Sequence, residues 1–318
     1  MEAVFLDAGS LDTDNLDLTP LRDAGASLTC YETTAAQEVV VRIADAEIAI
    51  TNKVVIGPHV LAKCPNLQLI CVVATGTNNI DLQAAEQHGV RVVNCRDYAT
   101  ATVSQHVLGL ILSLTRSLPD YNADVAHGAW QRSPFFCRLD HPIREIQDLS
   151  LGIIGYGTLG QATAELARAV GMTVHVAERA DEPAPRTGRL AFEDVLQRSD
   201  VVSLHCPLTA ATHQLIGPRE IELIGAGGYL INTARGGLID ERAVADALYE
   251  RRLAGAGLDV LSQEPPADNN PLLERPHRNL LITPHCAWGS QAARQRIVEQ
   301  TAGNIRAFNT GNAERVVV

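Results

Sequence analysis

The sequence predicts an α/β protein built from two parallel-sheet domains, and three observations support this. Short apolar runs rich in β-branched residues alternate with helical stretches along the chain, which is the pattern of parallel α/β sheets. Runs such as LGIIG at 151–155 and VVSL at 201–204 show no alternation with a period of two, as expected for strands covered on both faces. The runs form two series separated by a long helical stretch, so we expect two sheets.

The first series of strand candidates ends before residue 100. Its members are short, apolar and bounded by polar or turn residues: Ala3–Leu6, Ile48–Thr51, Leu69–Val73 and Arg91–Val93. A helical stretch at Asp81–His88 lies between the last two. The long helical stretch from about Ala101 to Leu118 then separates the two series.

The second series contains six strand candidates: Leu151–Ile154, Thr173–Ala177, Val201–Leu204, Tyr229–Ile231, Gly255–Leu258 and Leu280–Ile282. Helical patterns follow three of these strands, at Leu159–Ala169, Glu241–Glu250 and Ser290–Phe308. The last helix follows the final strand, and we expect it to return to the first domain.

The segment from Asp120 to Asp148 fits neither series, because it is rich in proline, phenylalanine and charge. It carries Trp130, Phe135 and Phe136. Two interpretations are open: an arm that contacts a second copy of the chain, or a surface loop.

Length and charge limit the partners that the protein can have. At about 100–200 residues per domain, 318 residues predict two domains or one large one. The 26 Lys and Arg against 37 Asp and Glu give a net charge of −11. An acidic surface repels phosphate backbones and anionic lipids, so we expect neither nucleic acid nor membrane partners. A locally basic pocket for a small anion remains compatible with that charge.

The cysteines and the N-terminus indicate a cytoplasmic protein. The seven cysteines form no CxxC pair and no zinc-like cluster with histidine, so we expect reduced thiols and no metal. The N-terminal residues are acidic where a signal peptide is basic. The longest apolar stretch, near 107–114, falls far short of the ~20 residues of a membrane span.

A glycine motif provides the sharpest local signal for a ligand. Gly155, Gly157 and Gly160 form GxGxxG between a strand candidate and a helical stretch, which is the context that dinucleotide binding requires. The first glycine permits the tight turn, the second permits close approach of a pyrophosphate, and the third permits close helix–strand packing. The helix N-terminus would then face the phosphates. A purely structural glycine-rich turn is the alternative.

The residues after the next strand bear on the choice between NAD and NADP. Glu178 lies about 20 residues after the glycine motif, where a carboxylate accepts hydrogen bonds from both adenosine ribose hydroxyls and repels a 2′-phosphate. Arg179 follows directly and offers a guanidinium to a 2′-phosphate or to the adenine ring. The sequence therefore favours NAD and leaves NADP possible.

Three more segments follow predicted strands, where open α/β sheets bind their ligands. They are NTARGG at 232–237, LDVLSQEPP at 258–266 and TPHCAW at 283–288. Together with the glycine motif they resemble the D-isomer-specific 2-hydroxyacid dehydrogenase family over nearly the whole chain. The stretches ATGTNNID, SQH and GYGTLG are similar to its glycerate dehydrogenase/hydroxypyruvate reductase branch.

The resemblance implies a catalytic trio of Arg235, Glu264 and His285. A planar guanidinium suits binding of the substrate carboxylate and carbonyl oxygen. An imidazole suits proton transfer to or from the substrate oxygen, and a carboxylate on its other nitrogen fixes its orientation. Taken singly, the three have structural alternatives: a strand-end cap, a turn charge and a buried core histidine.

The resemblance also implies the residues that bind substrate and cofactor. For the substrate these are Asn52, Lys53, Ala74, Thr75, Gly76 and Trp288, beside Arg235 and His285 of the trio. For the cofactor, beyond the glycines, Glu178 and Arg179, they are Thr158, Leu159, Cys206, Pro207, Thr233, Asp259 and Ala287. Lys53 is equally compatible with a surface charge, Asp259 with a turn residue, and Trp288 with closure over either the nicotinamide or the substrate.

The resemblance further implies two Rossmann-like or flavodoxin-like domains with the active site in the cleft between them. Residues 1–98 and 289–318 would form the substrate domain and residues 99–288 the NAD-binding Rossmann domain. The expected activity is reversible hydride transfer between NAD and a short 2-oxo or 2-hydroxy acid such as hydroxypyruvate or glyoxylate, in a homodimer. The alternative from another class is a nucleotide-sensing binding protein, similar to the corepressors that keep this fold.

Overall fold

The computed structural model describes residues 1–182, 184–275, 277–312 and 314–318. It groups residues 1–99 and 288–318 into a first unit and residues 100–287 into a second unit. Each unit contains one sheet, and every strand pair in both sheets is parallel. The predicted two parallel-sheet α/β architecture is confirmed.

The sheet of the first unit has five strands in the order β2-β1-β3-β4-β5, which is the flavodoxin-like order. The strands are β1 (Glu2–Phe5), β2 (Ser27–Cys30), β3 (Ile48–Thr51), β4 (Leu69–Val72) and β5 (Arg91–Asn94). Four of them match sequence candidates. The fifth, β2, lacks an apolar run and is mostly exposed at the sheet edge, so its sequence carries no signal of a buried strand.

Helices cover the first sheet on both faces. They are α1 (Thr19–Arg22), α2 (Val39–Ile43), α3 (Pro58–Lys63) and α4 (Leu82–Gln87), together with the C-terminal α11 (Gln291–Asn309). Apolar side chains of α2, α3 and α4 pack on one face in a shared core, while α11 packs beside α1 and β4. The side chain of Arg294 anchors α11 through hydrogen bonds from Nη1 to the carbonyl oxygens of Leu11 and Asp12, both at 2.6 Å.

The sheet of the second unit has six strands in the order β11-β10-β9-β8-β6-β7. They are β6 (Ser150–Ile154), β7 (Thr173–Val176), β8 (Val201–Leu204), β9 (Tyr229–Asn232), β10 (Gly255–Leu258) and β11 (Leu280–Ile282). All six match sequence candidates. The four inner strands are buried short runs, as expected in a doubly covered sheet, whereas the edge strands β7 and β11 are partly exposed. The strand order reverses between β6 and β8, which is where open α/β sheets bind ligands.

Two hydrophobic cores lie on the two faces of this second sheet. The helices are α5 (Thr100–Thr115), α6 (Leu118–Ala126), α7 (Thr158–Ala169), α8 (Phe192–Arg198), α9 (Pro218–Ile224) and α10 (Glu241–Tyr249). Side chains of α5 and α7 contribute to one core, and those of α8, α9 and α10 contribute to the other. Among the residues described, no helix is both long and apolar enough to cross a bilayer.

Candidate active site

The second sheet gathers the predicted catalytic and cofactor segments along one edge. Its strands are all parallel, and Leu258 of β10 pairs with Asn232 of β9 and Ile282 of β11. The segments that follow these three strands therefore begin at the same level. Each predicted segment of the second unit follows the carboxyl end of a strand, so the topology brings them to one side of the sheet.

The glycine motif forms a tight connection from β6 into α7. Gly155 has φ +96°, a conformation that side chains disfavour, and a Cβ there would lie 2.6 Å from the backbone nitrogen of Cys206. A Cβ on Gly160 would lie 2.1 Å from the Gly155 carbonyl oxygen. Only glycine fits at these two positions, since backbone atoms cannot move aside as a flexible side chain can.

The N-terminus of α7 fits the pyrophosphate of NAD. A Cβ built on Gly157 meets no atom within 4 Å, so the approach is open. Within the described residues no side chain caps this helix, and its first N–H groups remain available to an anion, which the helix dipole also favours. Gly157, Thr158 and Leu159 would hold the phosphates. Cys206, which follows β8, lies against the same turn at Gly155, and Pro207 is the next residue along the chain.

Glu178 follows β7 directly and is 2% exposed. Its carboxylate accepts hydrogen bonds from the backbone N–H of Arg179 at 3.0 Å and from Arg186 Nε at 2.6 Å. The Arg186 guanidinium beside this carboxylate holds the pKa of Glu178 well below its usual range. Glu178 is therefore ionised and can accept hydrogen bonds at the predicted ribose position. The Arg186 guanidinium already binds its carboxylate oxygens.

Glu264 and His285 form a direct pair. The distance from His285 Nδ1 to Glu264 Oε2 is 2.6 Å, and the backbone N–H of Leu261 donates to Glu264 Oε1 at 2.9 Å. The carboxylate is thus held from both sides, by the main chain and by the imidazole. A carboxylate on Nδ1 is the arrangement that orients a general acid–base histidine.

The backbone at His285 is held in an unusual conformation. His285 has φ +52°, which residues other than glycine rarely adopt. Buried Asp259 holds the segment in place. Its Oδ1 accepts from Thr283 Oγ1 at 2.6 Å and from the Cys286 N–H at 2.9 Å, and its Oδ2 accepts from the Ala287 N–H at 2.9 Å. The predicted contact of Asp259 with the nicotinamide amide stays a prediction.

Arg235 is exposed at the end of the segment that follows β9. The Asn232 side chain donates from Nδ2 to the Arg235 carbonyl oxygen at 2.9 Å and fixes the turn. A Cβ on Gly236 would lie 1.9 Å from the carbonyl carbon of Leu261, so this turn packs against the backbone of the loop that carries Glu264. Thr233 Oγ1 is buried and has no hydrogen-bond partner within the described part of the chain.

Glu241 is a functional candidate that the sequence did not identify. It is buried at the start of α10. Its Oε1 accepts from the Ser262 N–H at 2.6 Å, and its Oε2 accepts from Ser262 Oγ and Asn270 Nδ2, both at 2.9 Å. Glu241 therefore binds Ser262, which precedes Glu264, and Asn270, which follows it, and so stabilises the loop that contains Glu264. Its position six residues after Arg235 is the only signal that the sequence offers.

In the first unit, the predicted residues Asn52 and Lys53 follow β3. The backbone N–H groups of both donate to the carboxylate of Asp7, at 2.9 and 2.8 Å. Asp7 itself follows β1, and the strand order of this sheet reverses between β1 and β3. Sequence reasoning missed Asp7, although a polar residue directly after an apolar strand is a visible signal.

The predicted carboxylate-binding turn, Ala74 to Gly76, follows β4. The side chain of Thr75 donates from Oγ1 to the Cys95 carbonyl oxygen at 3.0 Å, and Asn94 Nδ2 donates to the Thr75 carbonyl oxygen at 2.8 Å. The residues after β5 thus fix this turn. Trp288 belongs to the same unit and makes an edge-to-face contact with Tyr98 at 6.4 Å between ring centroids.

Comparison with known proteins was consistent with this geometry. Residues 108–287 match the family model described as "D-isomer specific 2-hydroxyacid dehydrogenase, NAD binding domain". The chain is 42% identical to glycerate dehydrogenase of Methylorubrum extorquens, over 99% of this chain and 98% of that protein. It is 36% identical to hydroxypyruvate reductase of Blautia hydrogenotrophica, over 100% of this chain and 99% of that protein.

The structure is also similar to that of D-lactate dehydrogenase from Aquifex aeolicus, solved with NAD and lactic acid. The TM-score is 0.81 at 28% sequence identity, over 98% of this chain and 96% of that one. The similarity in sequence and the similarity in fold therefore both extend over nearly the whole chain.

Proposed function

This chain belongs to the D-isomer specific 2-hydroxyacid dehydrogenase family, as an NAD-dependent oxidoreductase acting on CH–OH groups, and we propose that its substrate pair is D-glycerate and hydroxypyruvate. The names of the two relatives at 42% and 36% identity support this choice. Glyoxylate, which is smaller and carries the same 2-oxo acid group, is the second substrate that we propose. The comparisons favour the enzyme over the nucleotide-sensing alternative.

The Glu264–His285 hydrogen bond carries the catalytic proposal. NAD supplies or accepts the hydride when it is bound. In the reductive direction, Arg235 holds the substrate carboxylate and polarises the carbonyl. His285 Nε2 donates a proton to the forming alkoxide, and Glu264 stabilises the charged imidazole through Nδ1. In oxidation His285 removes the same proton.

The remaining site residues are proposed in the roles that the sequence predicts. Thr75 with its two neighbours in the turn after β4 would bind the substrate carboxylate through backbone N–H groups, with Asn52, Lys53 and Trp288 as further substrate contacts. We propose that the glycine loop, with Thr158 and Leu159, binds the pyrophosphate of NAD. The further residues that we propose as NAD contacts are Glu178, Arg179, Cys206, Pro207, Thr233, Asp259 and Ala287.

We propose that the chain forms a homodimer through residues 118–143. This segment exposes large apolar side chains, including Phe135 at 72%, Phe136 at 90% and Leu139 at 76%. Side chains this exposed and this close together are typical of interaction surfaces. Sedimentation of wild type against a Phe135→Ser, Phe136→Ser double variant tests the proposal: we expect a dimer that the double variant weakens, and a monomeric wild type overturns it.

We propose a cytoplasmic location and no nucleic acid partner. The support is a net charge of −11, which opposes binding to a phosphate backbone, and seven cysteines that are all free, as in a reducing compartment.

The experiment that tests the substrate proposal is NADH oxidation against hydroxypyruvate, glyoxylate, pyruvate, 2-oxoglutarate and phosphohydroxypyruvate. We expect the highest kcat/KM with hydroxypyruvate and the second highest with glyoxylate. A higher kcat/KM with any of the other three would overturn the substrate choice. If NADH binds and no 2-oxo acid is reduced, the sensing alternative replaces the enzyme.

A further inference from the structure

The carboxylate of Glu178 has no capacity left for a ribose. Oε1 accepts from the Arg179 N–H at 3.0 Å, from Arg186 Nη2 and from Arg189 Nη1 at 3.4 Å, while Oε2 accepts from the Arg186 N–H at 3.2 Å and its Nε at 2.6 Å. A carboxylate offers about four lone-pair sites, and five N–H donors already point at this one. Two ribose hydroxyls can bind Glu178 only if some of these donors leave.

The donors differ in how easily they can leave. The N–H groups of Arg179 and Arg186 belong to the main chain, and moving them requires moving the segment. The Arg186 side chain is 58% exposed, whereas that of Arg189 is 23% exposed. The exposed Arg186 guanidinium can be hydrated when it leaves, and an incoming ribose hydroxyl would replace it on the buried carboxylate, so that neither group stays unpaired. The Arg186 guanidinium is therefore the group that a ligand would displace.

We infer that Arg186 is a specificity residue for the cofactor: it competes with the adenosine ribose for Glu178 and binds a 2′-phosphate, so that this chain accepts NADP(H) as well as NAD(H). The inference rests on the proposed placement of the adenosine ribose beside Glu178. A guanidinium fork recognises phosphate with two parallel hydrogen bonds. Arg189 lies against the same carboxylate and supplies a second guanidinium.

Removing the Arg186 side chain has opposite effects on the two cofactors. Without it, three of the five donors remain on about four lone-pair sites, so one acceptor site on Glu178 becomes free for a ribose hydroxyl of NAD. The same change uncovers a carboxylate that repels a 2′-phosphate and removes one phosphate-binding fork. A purely structural role for Arg186 would instead weaken binding of both cofactors together.

The test is calorimetric binding of adenosine 2′,5′-bisphosphate (2′,5′-ADP) and 5′-AMP, which differ only in the 2′-phosphate, to wild type, Arg186→Ala and Arg186→Gln. We expect wild type to bind both compounds with dissociation constants within about tenfold of each other. In both variants we expect tighter binding of 5′-AMP and weaker binding of 2′,5′-ADP. The ratio of the two constants should shift roughly tenfold or more, as for loss of one charged hydrogen-bond pair.

Arg242→Ala is the matched control. Arg242 also forms a fork, with Glu274 at 3.0 and 3.2 Å, and its side chain is 54% exposed. It lies in the first turn of α10 and not after β7, and we expect its removal to leave the binding ratio within twofold of wild type. The ratio of kcat/KM for NADH and NADPH with hydroxypyruvate should follow the binding ratio.

An unchanged ratio in both Arg186 variants would overturn the inference, as would a wild type that binds 5′-AMP and not 2′,5′-ADP. Parallel weakening of both compounds would also overturn it, as a structural role. Because the binding assay contains no 2-oxo acid, a failure of the proposed substrate leaves its result intact, and the two failures are distinguishable.

Discussion

Carboxylates at the two ends of the second sheet are held in different ways. After β9 and β10, the oxygens of Glu241, Asp259 and Glu264 all accept hydrogen bonds from main-chain N–H groups. After β7, the Glu178 carboxylate is held by two main-chain N–H groups and by the side chains of Arg186 and Arg189.

The difference indicates which end is fixed before ligands bind. Asp259 and Glu241 are buried, and a main-chain donor cannot leave their carboxylates without displacing a loop and leaving a buried polar group unpaired, which costs about 1–3 kcal/mol. An exposed arginine side chain exchanges partners at little cost. The proposed catalytic end is therefore rigid and pre-organised, whereas the proposed adenosine end can change partners.

The largest effect is expected at the rigid end, from His285→Ala. Because this imidazole is the proposed proton donor, kcat with hydroxypyruvate should fall by ~10²–10⁴-fold, while the dissociation constant for NADH stays within a few-fold of wild type. His88→Ala, an exposed histidine at the end of α4, is the control and should match wild type. Near-normal turnover of His285→Ala would remove this residue from the chemistry.

A second test asks whether the rigid end tolerates displacement of its loop. A Cβ on Gly236 would lie 1.9 Å from the Leu261 backbone, whereas one on Gly237 would first meet the flexible side chain of Leu208, at 3.0 Å. Gly236→Ala must therefore shift the loop that carries Glu264, and a shift of about 1 Å can cost ~10²-fold in kcat. Gly237→Ala should cost much less. Equal activities of the two variants would contradict a pre-organised loop.

A smaller effect is expected from Glu241→Gln, which retains the size of the side chain but loses one of its three accepted hydrogen bonds. The loop then loosens without a steric clash, so we expect a fall of about tenfold in kcat, by the same positioning argument, with little change in KM for NADH. Glu250→Gln, exposed at the end of the same helix, serves as the control. A rise in KM for NADH with unchanged kcat would mean that Glu241 acts on cofactor binding instead.

The strands were predictable because most are buried runs of Val, Ile and Leu. The exception, β2 (Ser27–Cys30), is polar and lies at a sheet edge, where propensity carries little signal. Several short helices were not predicted either. Helices such as α8 (Phe192–Arg198) and α9 (Pro218–Ile224) span two turns, too few to show a clear helical period.

The site was predictable where a motif follows a strand, as for Gly155, Arg235 and His285. The partners that hold these segments were not, because contacts between distant parts of the chain leave no local pattern. Asp7 binds the N–H of Asn52 across 45 residues. Arg186 lies only eight residues from Glu178, but the turn between them, and not the spacing, brings the guanidinium back to the carboxylate.

The smallest expected effect concerns His205, which follows β8 between the two ends. Burial lowers the pKa of this imidazole to about 4, against about 6.5 in an unfolded chain. Between these values the unfolded state binds the proton and the folded state does not, so the stabilising contribution of the neutral ring is complete above pH 6.5 and declines as pH falls toward 4. Denaturant unfolding at pH 7 and pH 5 should show a larger loss of stability for wild type than for His205→Gln, by about 1–2 kcal/mol. Equal losses would show that His205 takes up its proton in the folded state as easily as in the unfolded chain. The middle of this edge of the second sheet would then be open to water and not packed like the end that holds His285.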